Sequence, residues 1–289
     1  MTRSLWSLLI VIVLGAAGCA GPSAPGRSQS PAADQPVYGG LITIWKEADV
    51  IDWDPNFEGR SSHGLWHAYN TLTGFKAGPG IEYAEMIVQP ELAERWEISP
   101  DAKTYTFHLR KGVKFANLPP VNGRELTSAD VKFSAEYATG SGELKDKKLP
   151  QGRNDYMYEG LDRVETPDPY TVRFHFKDAF VPFINYTASD WNPVLPREIF
   201  EKDGNYKDTM VGTGPFQLDP QASQKGTRYV FKKNPTYWEE GKPYFDEARV
   251  LILIQDATAK AGFHAKQVDV LQDLFITDIP DLQKPMPRS

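Results

Sequence analysis

Cysteine is almost absent from this 289-residue chain, which has only Cys19. No disulfide can therefore form within one chain, and a thiol-based active site elsewhere has no cysteine to use. Histidine is scarce as well, with five residues. Neither an H-E-x-x-H nor a G-x-S-x-G pattern occurs, so the metalloprotease helix and the serine nucleophile elbow both lack their residues. Positive charge is not in excess. Thirty-two Lys and Arg stand against 38 Asp and Glu, for a net charge of −6 and a pI near 5.5. A nucleic-acid partner, whose phosphates need a basic stripe, is thereby disfavoured, yet the acidity is too mild to name a cationic ligand.

Forty per cent of the residues are hydrophobic and 24% charged, enough to bury a sizeable core in one large or two ordinary domains. Aromatic residues make up 12%, with seven Trp. They suit a cleft for organic ligands, although any single ring serves equally well in a core. At the N-terminus Arg3 precedes an apolar run from Leu5 to Ala17, too short to span a bilayer as a mature helix and shaped like a secretory signal. Ala16, Ala17 and Gly18 lead directly into Cys19. That order resembles a lipobox, with Ala16 where Leu is usual, and implies a signal over residues 1–18 cut before a diacylated Cys19. An uncut anchor or a cut elsewhere are the rival readings. Residues 19–36, rich in Pro, Ser, Ala, Gly and Gln, read as a flexible tether.

From Tyr38 the pattern is that of a folded domain. Gly39-Gly40 feed a β-branched strand ending at Trp45, and a loop follows with Asp54-Pro55 as its turn. Asp52 and Asp54 form a carboxylate pair of the kind a hydrolase uses, read here as a solvated turn. Ser61 to Leu72 can form a helix, on which His63 and His67 stand at the i, i+4 spacing a metal could use. No third ligand lies nearby, so a packed or exposed pair is preferred. ERWEIS and TYTFHLR alternate with period two, placing Trp96 and Ile98, then Tyr105, Phe107 and Leu109, on one face of a sheet. Pro100-Asp101 turn between them, and Lys111-Gly112 reverse the chain into a hairpin with VKF. TSAD opens a helix through a Thr127–Asp130 capping box. Thr139 to Asn154 is a polar surface loop. Val164 to Lys177 gives two more strands, with Val172, Phe174 and Phe176 on one face, and Pro196 starts a short helix. Gly212-Thr213-Gly214-Pro215 is a turn into a strand, without the Lys of a phosphate loop. A further strand through Ile252 and a helix over Asp256–Ala265 follow.

The run PELAERWEIS…TYTFHLRKGVKF…LTSADVKFSAEY closely resembles the signature region of the extracellular solute-binding proteins of family 5, receptors that deliver peptides, nickel complexes and related solutes to ABC importers. GGLITI…DWDP, PDPYTVRFHF, GTGPF, NPTYWEEGKPYF and QVDV extend the likeness from Tyr38 to Leu271. It implies a mixed α/β (α+β) fold of the periplasmic-binding-protein class II kind. Residues 37–56 and 178–270 would form the first lobe, residues 57–177 its inserted subdomain, and residues 271–289 a stub of a second lobe that is missing. Family members are longer, so the chain reads as a fragment in preference to a natural truncation.

The same resemblance implies capture of an oligopeptide or related solute in a crevice closed by hinge motion, delivery to ABC permease subunits, and no bond chemistry or cofactor. A monomer held extracytoplasmically by its lipid is expected. A binder of a nickel or other metal complex, or of haem, is the alternative within the family, and a secreted hydrolase the alternative outside it. The implied ligand contacts are Trp45 at the strand end, Glu58, Gly59, Arg60 and Ser61 in the following loop, and Tyr186, Asp190 and Trp191 after the Pro-Phe helix. Trp191 could stack on planar groups and Asp190 meet an amine, with core packing the other reading of Trp45.

Overall fold

A computed structural model describes residues 36–56, 65–78, 80–147, 149, 154–271 and 276–283. In chain order the elements are β1 (Leu41–Lys46), α1 (Leu65–Ala68), β2 (Thr73–Phe75), β3 (Val88–Pro90), β4 (Ala93–Ile98) and β5 (Thr104–Leu109). Next come α2 (Ser128–Thr139), β6 (Leu161–Asp168), β7 (Thr171–Phe176), α3 (Phe183–Tyr186) and α4 (Arg197–Asp203). The chain continues with β8 (Phe216–Leu218), β9 (Arg228–Lys233), β10 (Glu247–Ile252), α5 (Asp256–His264), β11 (Val270–Leu271) and α6 (Ile279–Leu282). Two compact units result. One comprises the described residues up to Asp49, Asp219–Val230 and those from Tyr244 onward, and the other Val50–Leu218 with Phe231–Pro243.

In the first unit β1 lies between two parallel neighbours, pairing Trp45 with Leu251 of β10 and with Leu271 of β11. Parallel strands need a crossover, and α5 supplies it between β10 and β11. Ala259 and Phe263 of α5 join Val268, Leu271 and Leu282 around Trp45, whose indole N–H donates to the Leu253 carbonyl at 2.8 Å. Removing a buried ring of this size costs about 3–5 kcal/mol. Lys260 on α5 pairs with Asp256 at 2.9 Å and with Asp278 at 2.8 Å, holding the segment before α6 to the helix.

The second unit is built on an antiparallel sheet in the order β4-β5-β7-β6. The predicted alternation holds in β5 and β7, where Tyr105, Phe107, Leu109, Val172, Phe174 and Phe176 are buried, and α2 packs against β6 and β7. In β4, at the end of the sheet order, it does not, since Trp96 is half-buried and Ile98 exposed. The opposite face carries charged side chains, among them Arg95 and His108 on Glu97 and Arg163 on Glu165. The capping box forms as well, with the Thr127 amide donating to the Asp130 carboxylate at 2.9 Å.

Three local expectations are corrected. The Lys111-Gly112 reversal is present, with Gly112 at φ +76°, but Val113–Phe115 do not return along β5. β5 is already flanked by β4 and β7, so Lys114 instead bridges Glu125. The expected helix from Ser61 to Leu72 is, among the described residues, the single turn Leu65–Ala68. The polar stretch after α2 contains a one-turn 3-10 helix, Gly142–Leu144, with Leu144 buried.

The Gly-Thr-Gly-Pro turn has a steric reason. A Cβ on Gly212 would lie 2.2 Å from the Ala68 carbonyl oxygen, and one on Gly214 2.4 Å from the Ala68 carbonyl carbon. This closeness lets the Gly214 amide donate to the Ala68 carbonyl at 2.8 Å. Asn234, from the Asn-Pro-Thr-Tyr-Trp stretch, closes the turn by donating its side-chain amide to the Gly214 carbonyl at 2.9 Å.

Candidate functional site

The loop after α3 starts from an apolar anchor. Phe183 is fully buried, its ring 4.8 Å from that of Phe176, 4.9 Å from Phe174 and 5.1 Å from Tyr105. Three residues on, Tyr186 is half-buried, and Thr187 returns to the interior, where its hydroxyl meets that of Thr73 at 2.8 Å. The chain then emerges at Asp190, which is exposed, and at Trp191, which is half-buried.

This loop is fastened by the segment around a one-turn 3-10 helix, Asp155–Tyr158. Asn154, buried, donates its side-chain amide to the Trp191 carbonyl at 2.6 Å and to the Pro55 carbonyl at 3.0 Å. Tyr158 donates its hydroxyl to the Asn192 side-chain oxygen at 2.7 Å, and Asn192 donates to the Tyr186 carbonyl at 3.2 Å. Burial pushes the Tyr158 phenol well above its ordinary range, so it stays a neutral donor.

Behind Pro55 lies Asp54. The carboxylate pair expected as a solvated turn is not one: Asp54 is completely buried. It accepts from the Tyr137 hydroxyl at 2.6 Å and the Tyr206 amide at 3.2 Å, and its other oxygen accepts from the Asn56 amide at 3.1 Å. Burial raises its pKa above the ordinary value, against the lowering pull of these hydrogen bonds. A carboxylate with no exposed atom is a structural tie and cannot present itself to a substrate.

The sequence candidates therefore fall into distinct places. Tyr186, the last residue of α3, and Asp190 and Trp191, in the loop that follows it, belong to the second unit. Trp45 belongs to the other unit and has no exposed surface. Glu58, Gly59, Arg60 and Ser61 lie outside the described residues, as do His63 and the lipidation candidate Cys19. His67 is buried, its ring 4.9 Å from that of Phe231. Among the described residues no three His, Cys, Asp or Glu gather as a metal site. Asn154, Tyr156 and Tyr158 were not among the predicted site residues. Their signal, Asn-Asp-Tyr-Met-Tyr at the end of a polar stretch, has no periodicity to flag it.

The mixed α/β fold, with parallel strands around β1 and a separate antiparallel sheet, matches solved periplasmic binding proteins over about half of their length. The chain belongs to the bacterial extracellular solute-binding proteins, family 5, whose middle region matches residues 88–287. It is similar to the dipeptide-binding protein of Escherichia coli K12, with 35% identity over 212 residues, covering 66% of this chain and 36% of that protein. The periplasmic oligopeptide-binding protein OppA of Haemophilus influenzae is 28% identical over 270 residues, covering 85% of this chain and 46% of its own length. Among solved structures, the ABC transporter-associated periplasmic binding protein DppA from Helicobacter pylori, in complex with peptide STSA, superposes with a TM-score of 0.71 at 26% identity. The match covers 86% of this chain and 49% of that one. The chain thus spans between about a third and a half of the length of the relatives it matches.

Proposed function

We propose that this chain is part of the extracytoplasmic substrate-binding component of an ABC importer, one that captures oligopeptides or a related solute and hands them to permease subunits without bond chemistry. The observation that carries the reading is the family membership, joined to relatives named for dipeptide and oligopeptide binding that align over most of this chain. In this reading Tyr186 and the loop of Asp190 and Trp191 that follows it face the solute, with Glu58–Ser61 contributing beyond Pro55. Asp190 supplies a charge for a peptide amine and Trp191 a planar surface for stacking. The lobe and subdomain boundaries expected from the resemblance belong to the same proposal, as does a single copy as the working unit.

Anchoring is its second part: residues 1–18 are a signal and Cys19 carries the lipid, holding the domain at the membrane through the tether of residues 19–36. Cys19→Ser should then abolish labelling by radioactive palmitate and release the protein from the membrane fraction, and undiminished labelling overturns the anchor. Capture is tested by uptake. Deleting the gene should lower the import of radiolabelled di- and oligopeptides by source cells several-fold. Uptake that stays at the parental level for every peptide tried overturns the peptide reading.

A further inference from the structure

Tyr156 is 51% exposed, yet its ring is placed. It meets the ring of Tyr186 edge to face, with centroids 5.6 Å apart and planes at 90°. Tyr186 in turn lies 6.0 Å from Phe180, and Phe180 lies 5.5 Å from Phe176, which packs on Phe183 in the core. A row of four rings thus runs from the buried face of the sheet to the surface and ends on Tyr156. Its backbone is held on both sides. Asn154 fastens it to the Trp191 and Pro55 carbonyls, and the Tyr158 hydroxyl fastens it to Asn192.

Such a ring is preorganised. Its ordering is already secured by folding, so a partner that stacks on it loses little more conformational freedom on the protein side. Tyrosine presents a π-face with a polar rim, and aromatic pairs gain from offset or edge contacts beyond the area they bury. The surroundings also discriminate between kinds of partner. Asp190 and Trp191 follow in the loop after α3, so aromatic and polar groups alternate within a few residues, as in small-ligand sites.

We infer that Tyr156 and Tyr186 form a subsite for an aromatic side chain, so that the captured solute is a peptide with Phe, Tyr or Trp at the position lying over Tyr156. The inference deepens the peptide-capture reading and rests on it for the class of ligand.

Saturation-transfer NMR on the full chain tests it, with N-acetyl-phenylalanine amide and N-acetyl-alanine amide as probes. Because neither probe has a free amine or carboxylate, the result stands apart from whether whole peptides are imported. The parent should transfer at least fivefold more saturation to the phenyl probe's ring than to the alanyl probe. Tyr156→Ala should lose that excess at an unchanged melting temperature, whereas Tyr156→Phe should keep it. Equal transfer to both probes, no transfer, or an excess that survives Tyr156→Ala overturns the subsite. So does a dimer in sedimentation that Tyr156→Ala dissolves, since the ring would then be an interface between copies.

Discussion

Tyr137 donates its hydroxyl to the Asp54 carboxylate at 2.6 Å, and neither residue is open to solvent. The bond ties α2 to the loop leading into Pro55, across 83 residues of sequence. Hydrogen bonds to a charged group contribute about 1.5–3 kcal/mol, so Tyr137→Phe should lower the unfolding free energy by about 2 kcal/mol in urea at pH 7. The pH dependence has a definite sign. The Asp54 pKa is raised by burial, so its ionisation costs stability: the folded state is favoured below the unfolded pKa and loses ground as pH rises through the folded one. Tyr137 lowers that folded pKa by bonding the charged form. The cost of Tyr137→Phe should therefore shrink as pH falls from 7 toward 4, and equal losses at both pH values would refute the coupling.

Gly214, like Gly212 beside it, is a position where a single methyl group should do heavy damage. Its added Cβ would meet Ala68 and Tyr69 backbone atoms between 2.4 and 2.7 Å away, and backbone cannot swing aside as a side-chain tip can. Gly214→Ala should cost about 3 kcal/mol, at the upper end for overpacking. Gly226 provides the contrast, with a φ of +79° and its nearest neighbour at 3.9 Å. Gly226→Ala carries only the strain of the left-handed conformation, about 1–2 kcal/mol. Chemical denaturation of both variants should rank them in this order.

Arg124 grips two carboxylates at once. It bonds Asp130 at 2.6 and 2.9 Å, bonds Glu198 at 2.7 Å and through a second, shorter contact, and lies 4.9 Å from the centre of the Phe115 ring. A lysine ammonium cannot fork onto both, so Arg124→Lys should cost about 2 kcal/mol, leaving the buried Asp130 poorly compensated. The guanidinium also holds Glu198 below its ordinary pKa. That stabilisation is present above the unfolded Glu pKa of about 4.3 and lost as pH falls through the folded value. The variant's deficit should accordingly narrow in acid, and a deficit that widens below pH 4 would contradict the assignment.

How much of this was legible in the chain depends on the range of the interaction. β5 and β7 could be read because each alternates apolar residues within six positions, and α2 because Thr127 and Asp130 cap it three residues apart. The placement of β1 between β10 and β11 could not, because its partners lie more than 200 residues away and no local period encodes a parallel register. Val113–Phe115 misled because a glycine turn specifies a reversal and not the strand that will receive it. At the candidate site, the alternation of buried Phe183 and Thr187 with exposed Asp190 is local, whereas Asn154 serves carbonyls 99 and 37 residues distant. A lone asparagine ending a polar stretch has no such role written beside it. Asp54 shows the reverse case: its Asp-Pro turn was plain, but its burial arises from Tyr137 and Tyr206.

Asn154 offers the sharpest test of how the site loop is held, because its two substitutions fail for different reasons. Its amide nitrogen supplies both protons that satisfy the Pro55 and Trp191 carbonyls. Asn154→Ala removes them and leaves two acceptors unpaired, a loss of about 2–3 kcal/mol if water does not enter. Asn154→Asp keeps the shape but replaces the donor with an oxygen, so that at pH 7 a carboxylate faces two carbonyls. It should be the worse of the two by at least about 1 kcal/mol. Protonation would return one O–H donor, so this second variant should recover relative to the parent as pH falls, while the alanine variant should not. In hydrogen exchange, amides from Ser189 to Asn192 should open at least tenfold faster in both variants, with β5 and β7 protected as before. If alanine proved the more damaging at pH 7, the side-chain nitrogen could not be the atom facing those carbonyls. The same bracket would then have to hold Trp191 through Tyr158 and Asn192 alone.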